Sequence, residues 1–270
     1  MIVAIGLLFL LNFTSSSKDI SCKVRDVNSY YVGKILRTCN LNYKLSRNGN
    51  IIASPADVSV ESLEGEFDIS VIPDKISEKF PSLILLRISY SPVKFVGENH
   101  FKGLGELIML YLQYNKIENI ERDALKHNPK IEMLNLNNNN LKYISYDLFN
   151  SLHSLKVLNL SGNKMQHIDT RTFTNLINLE HIFLGRNKLE IIDENLLRNN
   201  RKLSQIGFEF NKINSISSEM FASMKDLSFV SFEGNFCIND DFSESFERMI
   251  SELREKCYLG YLSDDGSDWD

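Results

Sequence analysis

The sequence predicts an α/β-type repeat solenoid: a curved horseshoe with a parallel concave sheet and a disulfide-closed cap at each end. Three observations predict it. A pattern of apolar residues and asparagine returns every 24 positions between Leu83 and Asn235. Inside each period apolar and polar residues alternate over a few positions, the spacing of a strand that buries one face. Four cysteines, Cys22, Cys39, Cys237 and Cys257, flank the periodic stretch, and none lies inside it. Positions below are counted from the apolar residue that opens each unit, so Leu83 is position 1.

The chain opens with an uncharged apolar run over residues 1–11, followed by small residues at Thr14, Ser15, Ser16 and Ser17. The run is too short to span a bilayer as a helix, and residues 1–17 read as a signal peptide. Residues 18–82 read as an N-terminal cap with one degenerate repeat. Between Cys22 and Cys39 the chain looks like a hairpin. Ile69 and Ile72 fit inward positions 11 and 14 of the degenerate unit, whose strand part around residues 58–63 does not match the pattern.

Residues 83–236 hold the regular repeats. Positions 4 and 6 send apolar side chains inward, as in Leu110 and Leu112 or Leu158 and Leu160. Stacking units then builds one parallel sheet over a core that no single unit could bury. Position 9 is Ser91 and then Asn115, Asn139, Asn163, Asn187, Asn211 and Asn235. An amide has both donors and an acceptor, so it can satisfy backbone groups where the chain leaves the strand. Positions 11 and 14 fill the interior. Position 19, with Phe101, Leu125, Phe149, Phe173, Leu197 and Phe221, forms a spine under the convex side. These are core residues.

Residues 237–260 read as the C-terminal cap. Asn239, Asp240 and Asp241 could start a helix with Phe242, Phe246, Met249, Ile250 and Leu253 on its apolar face. Seven stacked strands separate the ends by about 30 Å, while bridged Cα atoms lie within about 7 Å. Only Cys22–Cys39 and Cys237–Cys257 are then reachable. A zinc site would be the competing use, but the pairs lack C-x-x-C spacing and nearby histidines. Residues 261–270 form an acidic tail. Its Asp264, Asp265, Asp268 and Asp270 account for most of the formal charge of −5.

The exposed strand positions set the candidate binding face. Tyr90, Tyr111 and Tyr114 cluster towards one end, beside Met109 and Met133, and Phe183, Arg186 and Phe210 lie towards the other. A polar strip of Asn135, Asn137, Asn138, Asn159 and Ser161 separates them. Large rings and arginine on an exposed sheet are suited to anchoring a partner; the competing reading is ordinary exposed rings shielded by cap or loop segments. The same face carries Arg87, Lys116, Lys164, Arg186, Lys188 and Lys212 against Glu209 and Glu233, and the lysines after the asparagines read either as solvated side chains or as a basic groove for an acidic partner, the tail included. The acidic balance argues against nucleic acid. Asn159-Leu160-Ser161 is a glycosylation sequon, used or unused.

Nothing in the sequence points to catalysis: the five histidines are scattered, with no paired spacing and no glycine-rich phosphate loop. No metal site and no cofactor are expected. The repeat resembles the 24-residue class of extracellular leucine-rich repeat proteins. The Cys22…Cys39 hairpin, Ile72-Pro73 before Phe80-Pro81-Ser82-Leu83, and the ending Asn235-Phe236-Cys237…Cys257 resemble short secreted leucine-rich repeat proteins of insects. The resemblance implies protein recognition, sometimes in innate immunity. Immune members that work as disulfide-linked complexes carry a long C-terminal coiled coil and extra cysteines, which this chain lacks. The expectation is a secreted, extracellular, non-enzymatic module that binds a protein partner, with no membrane anchor. The alternatives are a self-associating matrix protein, hence a homo-oligomer, and an inhibitor of a secreted enzyme.

Overall fold

In the computed structural model, backbone is described for residues 6–13, 20–29, 34–41, 49–53 and 62–66, and side chains for 70–72, 74, 76–78, 80–243 and 246–257. In chain order the elements begin with strands β1 (Gly6–Phe13), β2 (Ile20–Ser29), β3 (Lys34–Leu41), β4 (Gly49–Ala53) and β5 (Ser62–Glu66), then helix α1 (Ile76–Lys79). The repeats follow as β6 (Leu85–Ser89), β7 (Phe95–Val96), β8 (Met109–Tyr111), β9 (Asn119–Ile120), β10 (Met133–Asn135), β11 (Val157–Asn159) and β12 (His181–Phe183). They continue as β13 (Ile191–Ile192), β14 (Gln205–Gly207), β15 (Ser215–Ile216) and β16 (Phe229–Ser231), and the cap adds β17 (Asp241–Phe242) and helix α2 (Phe246–Lys256).

One sheet runs β17-β16-β14-β12-β11-β10-β8-β6-β5-β3-β2-β1-β4. Its repeat strands are parallel and in strict register: Leu86, Leu110, Leu134, Leu158, Ile182, Ile206 and Val230 stand opposite one another in turn. A constant period fixes this register, because a one-residue slip would turn every leucine outward. The leucine-rich repeat solenoid expected from the sequence is therefore the observed fold. Its core is one continuous cluster from Ile72 to Cys257. The position-19 spine lies within it, with Phe149 and Phe173 stacked at 6.2 Å between centroids.

The asparagine column locks each turn to both neighbours. Asn163 Nδ2 donates to Leu136 O of the preceding turn at 3.0 Å and to Leu160 O of its own at 2.9 Å. Its Oδ1 accepts from Leu141 N at 3.1 Å. The same set recurs at Asn139, Asn187 and Asn211. These side chains are buried, so each bond is made where water cannot substitute for it.

A second asparagine pair was not foreseen. Position 22 is leucine or methionine in four turns but Asn128 and Asn200 in two, both fully buried. Asn128 Nδ2 donates to Phe101 O and Leu104 O, and Asn200 Nδ2 to Phe173 O and Leu176 O. These amides tie convex turns together as the position-9 column ties the strand ends.

The ends depart from expectation in two respects. Leu63 of β5 stands opposite Leu86, 23 positions away, so the degenerate unit is one residue short between its strand and the buried Ile72. That deletion is why a 24-residue template misplaces the strand at 58–63. At the other end Asn239, Asp240 and Asp241 cap the sheet, not a helix. Phe242 sits in β17, antiparallel to β16, and α2 starts only at Phe246. Phe232 N donates to Asp240 O at 2.9 Å and Gly234 N to Asn239 Oδ1 at 2.6 Å, replacing the carbonyls that a further turn would offer. Met249 and Leu253 of α2 are buried on the last turn.

Cys237 and Cys257 are bridged, with Cα atoms 5.0 Å apart. Closing a loop of that size contributes about 3 kcal/mol in the chain-entropy account. The expected Cys22–Cys39 bridge lies outside the described side chains; their strands, β2 and β3, pair as an antiparallel hairpin. Of the expected leader, only Gly6–Phe13 is described, as β1. No helix among the described residues is long and apolar enough to cross a membrane.

Candidate recognition face

The face is organised by what the backbone does just after each strand. The position-8 N–H reaches forward to the position-7 carbonyl of the next turn, as in Tyr114 N to Asn137 O at 3.0 Å and Arg186 N to Glu209 O at 2.7 Å. Making that bond while turning towards the buried asparagine requires positive φ. Gly162 provides it at φ 68° and Asn138 at 52°, and Gly234, whose N–H donates instead to Asn239 Oδ1 of the cap, has φ 74°. The remaining turns use Tyr90, Tyr114, Arg186 and Phe210, at φ 54°, 57°, 53° and 53°. A bulky residue in this region is uncommon and costs about 1–2 kcal/mol.

All four of these side chains are exposed, and they pair. Tyr90 and Tyr114 stack with centroids 4.6 Å apart and planes 5° from parallel. The Arg186 guanidinium sits 4.3 Å from the Phe210 centroid. Gly234 leaves the room that Phe210 needs, since a Cβ there would lie 2.6 Å from Phe210 Cδ1. Two stacked pairs, one aromatic and one cation–π, therefore stand on one edge of the concave sheet.

Tyr111 is not part of the tyrosine stack. It belongs to the inner row of β8, where its hydroxyl points at Met133 Sδ (3.3 Å) and Met109 Sδ (3.6 Å) and Arg87 lies 4.7 Å from its ring centroid. Met109, read from the sequence as exposed, is 1% exposed and packs with Ile84 and Leu85 in a small cluster of its own. Phe183 is half-buried in the equivalent inner row of β12.

In the polar strip between the groups, Asn135 Oδ1 accepts from Asn137 N, and Asn159 Oδ1 from Ser161 N, both at 3.0 Å, while the buried Asn137 Oδ1 has no hydrogen-bond partner among the described residues. Beside Phe183, the Glu209 side chain folds back over Gly185 and Gly207. A Cβ at Gly185 would collide with its carboxylate. Burial pushes the Glu209 carboxyl pKa up, and Asp241 and Glu233 add to this; its own backbone N–H and Arg186 oppose it. The sequence places Glu209 on this face only as an acid among basic residues, and its approach to Gly185 and Gly207 was not expected. The signal was the glycine pair at positions 185 and 207 around it.

The leucine-rich repeat family model matches residues 106–165 and 154–213. Among solved structures, the chain is similar to a leucine-rich repeat protein of Leptospira interrogans, with a TM-score of 0.60 and 22% identity over 74% of this chain and 49% of that one. It is also similar to TLR13 in the TLR13–ssRNA13 complex, again with a TM-score of 0.60 and 22% identity, over 66% of this chain and 29% of that one. The chain thus spans less than half the length of either structure. No curated protein matches the sequence. Identity at this level speaks for the fold alone.

Proposed function

We propose that this leucine-rich repeat solenoid is a secreted, non-enzymatic module that binds a protein partner across the position-8 edge and the adjoining concave strands. Leucine-rich repeats are commonly protein-binding modules and typically lack catalysis of their own. The observation that carries the proposal is the position-8 column. Turns without a contact role can use glycine or asparagine there, as Gly162, Gly234 and Asn138 do. Tyr90, Tyr114, Arg186 and Phe210 keep large exposed side chains at a backbone cost, and sustained strain of this kind concentrates at functional surfaces. Tyrosine and arginine are also the side chains that most often dominate binding energy.

The reading includes extracellular release after a leader over residues 1–17 and a glycan on Asn159, whose outward position would put the sugar between the two stacked pairs. A protein is favoured over a nucleic acid by the acidic balance of the chain. The test is capture from extracellular fluid with three immobilised proteins: the unaltered chain, Tyr90→Ala/Tyr114→Ala, and Arg186→Ala/Phe210→Ala. A protein held by the first and lost by both variants is the expected result. Retention by both variants would move the site off this edge. Recovery of the chain alone, in concentration-dependent assemblies, would replace the proposal with self-association. A captured hydrolase whose activity falls on binding would make the module an inhibitor.

A further inference from the structure

On the flanks of the solenoid, equivalent positions in neighbouring turns carry opposite charges. Lys130 Nζ lies 2.7 Å from Glu106 Oε1, and Lys156 Nζ 2.8 Å from Glu132 Oε2. The column just after the asparagines breaks this pattern. It reads Lys116, Asn140, Lys164, Lys188, Lys212 and Phe236. All four lysines are exposed, and none has an ion pair among the described residues. Lys164, Lys188 and Lys212 stand in consecutive turns about 5 Å apart, with the exposed Arg186 on the next column. Like charges directly opposite on neighbouring strands are destabilising. The column ends at Phe236, which is 72% exposed.

We propose that this column is the docking strip for the chain's own acidic segment, residues 258–270, with its aspartates against Lys212, Lys188 and Lys164. Two facts select this occupant. The segment starts near the end of the column: Cys257 is bridged to Cys237, with Cα atoms 5.0 Å apart, and Cys237 directly follows Phe236. Its charge is complementary, with Asp264, Asp265, Asp268 and Asp270 and no basic residue. Reach is sufficient. At about 3.3 Å per extended residue, Asp264 can lie up to roughly 23 Å from Cys257, and Lys164 is only about 10 Å along the column from Lys212. Tyr261, Leu262 and Trp269 give the same segment apolar surface that Phe236 can receive. A docked segment would lie alongside Arg186 and Phe210 and cover part of that edge.

Trp269 is the chain's single tryptophan, so the segment carries its own reporter. The experiment measures Trp269 fluorescence anisotropy in the full chain and in Lys164→Gln/Lys188→Gln/Lys212→Gln, which alters only exposed residues. Circular dichroism verifies the fold of both. At low salt the unaltered chain is expected to give the anisotropy of a side chain tumbling with the whole solenoid, independent of protein concentration. It should fall by about half in the triple variant, and likewise in unaltered chain at ~0.5 M salt, where screening shortens charge interactions to a few ångströms. Equal anisotropy in the two proteins at low salt, or a low value in both, would overturn the proposal. Anisotropy rising with concentration would assign the segment to a second copy and overturn it as well.

Discussion

Replacing Tyr114 by alanine and, separately, by glycine isolates the backbone strain at position 8. Both variants lose the 4.6 Å stack on Tyr90 and the same phenol ring, so those losses cancel between them. What remains is the conformation, φ 57°. Alanine there keeps the left-handed penalty of about 1–2 kcal/mol. Glycine escapes it but gives up roughly 0.5–1 kcal/mol more backbone entropy on folding. The glycine variant should therefore be the more stable by about 0.5–1 kcal/mol, the reverse of the usual order. Urea unfolding followed by circular dichroism, analysed with a common slope, measures the difference; in a chain of this size it amounts to a shift of about 1–4 °C in Tm. Glu118, exposed and without positive φ, is the control, and there alanine should win. Alanine equal to or better than glycine at position 114 would show that the column stores no strain, and the argument from strain to function would fall with it.

Asn163→Ala removes one accepted and two donated buried bonds, so a loss of about 3 kcal/mol or more is expected in the same unfolding assay, at roughly 1 kcal/mol per bond plus the desolvation of the groups left behind. Asn139→Ala and Asn187→Ala should match it closely, since their bonding is the same. Glu209→Gln should raise Tm at neutral pH. The fold raises this carboxyl's pKa, so ionisation opposes folding above that value, and the benefit should vanish as pH falls below the ordinary glutamate range. His100 gives the opposite acid response. Burial lowers its pKa despite the nearby Asp74 and Glu121, and Gly97 N donates to its Nδ1 at 3.0 Å. The neutral ring is thus favoured, and its stabilisation, complete above the ordinary histidine value, should fade as pH drops below it; His100→Gln should flatten melting temperature over that range.

The solenoid was legible because its core is written in a period. Leu110, Leu134 and Leu158 recur at fixed spacing, and only one stacking puts them all inside. The column of Asn115 to Asn235 was legible for the same reason. Asn128 and Asn200 were not, because they replace leucine in only two turns and a lone asparagine looks like a surface residue. The degenerate unit was misplaced by a single missing residue, which a fixed template cannot absorb. At the site, the residue types of Tyr90, Tyr114, Arg186 and Phe210 drew attention, but their pairing did not. Which rings meet depends on φ after the strand, and neither tyrosine nor phenylalanine announces a left-handed backbone. The clue lay in the same column, at Gly162, Gly234 and Asn138. Tyr111 looked like a third member of the stack only because sequence distance does not separate an inner row from an edge.

From Tyr90 to Phe210 the position-8 column has its backbone fixed by the N–H bond to the next turn, whatever side chain it carries. Each rung hangs outside the core, and the residues beneath it are buried and apolar whether the rung is tyrosine, glycine or arginine. A change at one rung is felt by the rung stacked on it and hardly further. A lineage could therefore rewrite what this edge touches one turn at a time, or lengthen it by duplicating a turn, while the scaffold stays as it is. Such a molecule can change allegiance without relearning how to fold.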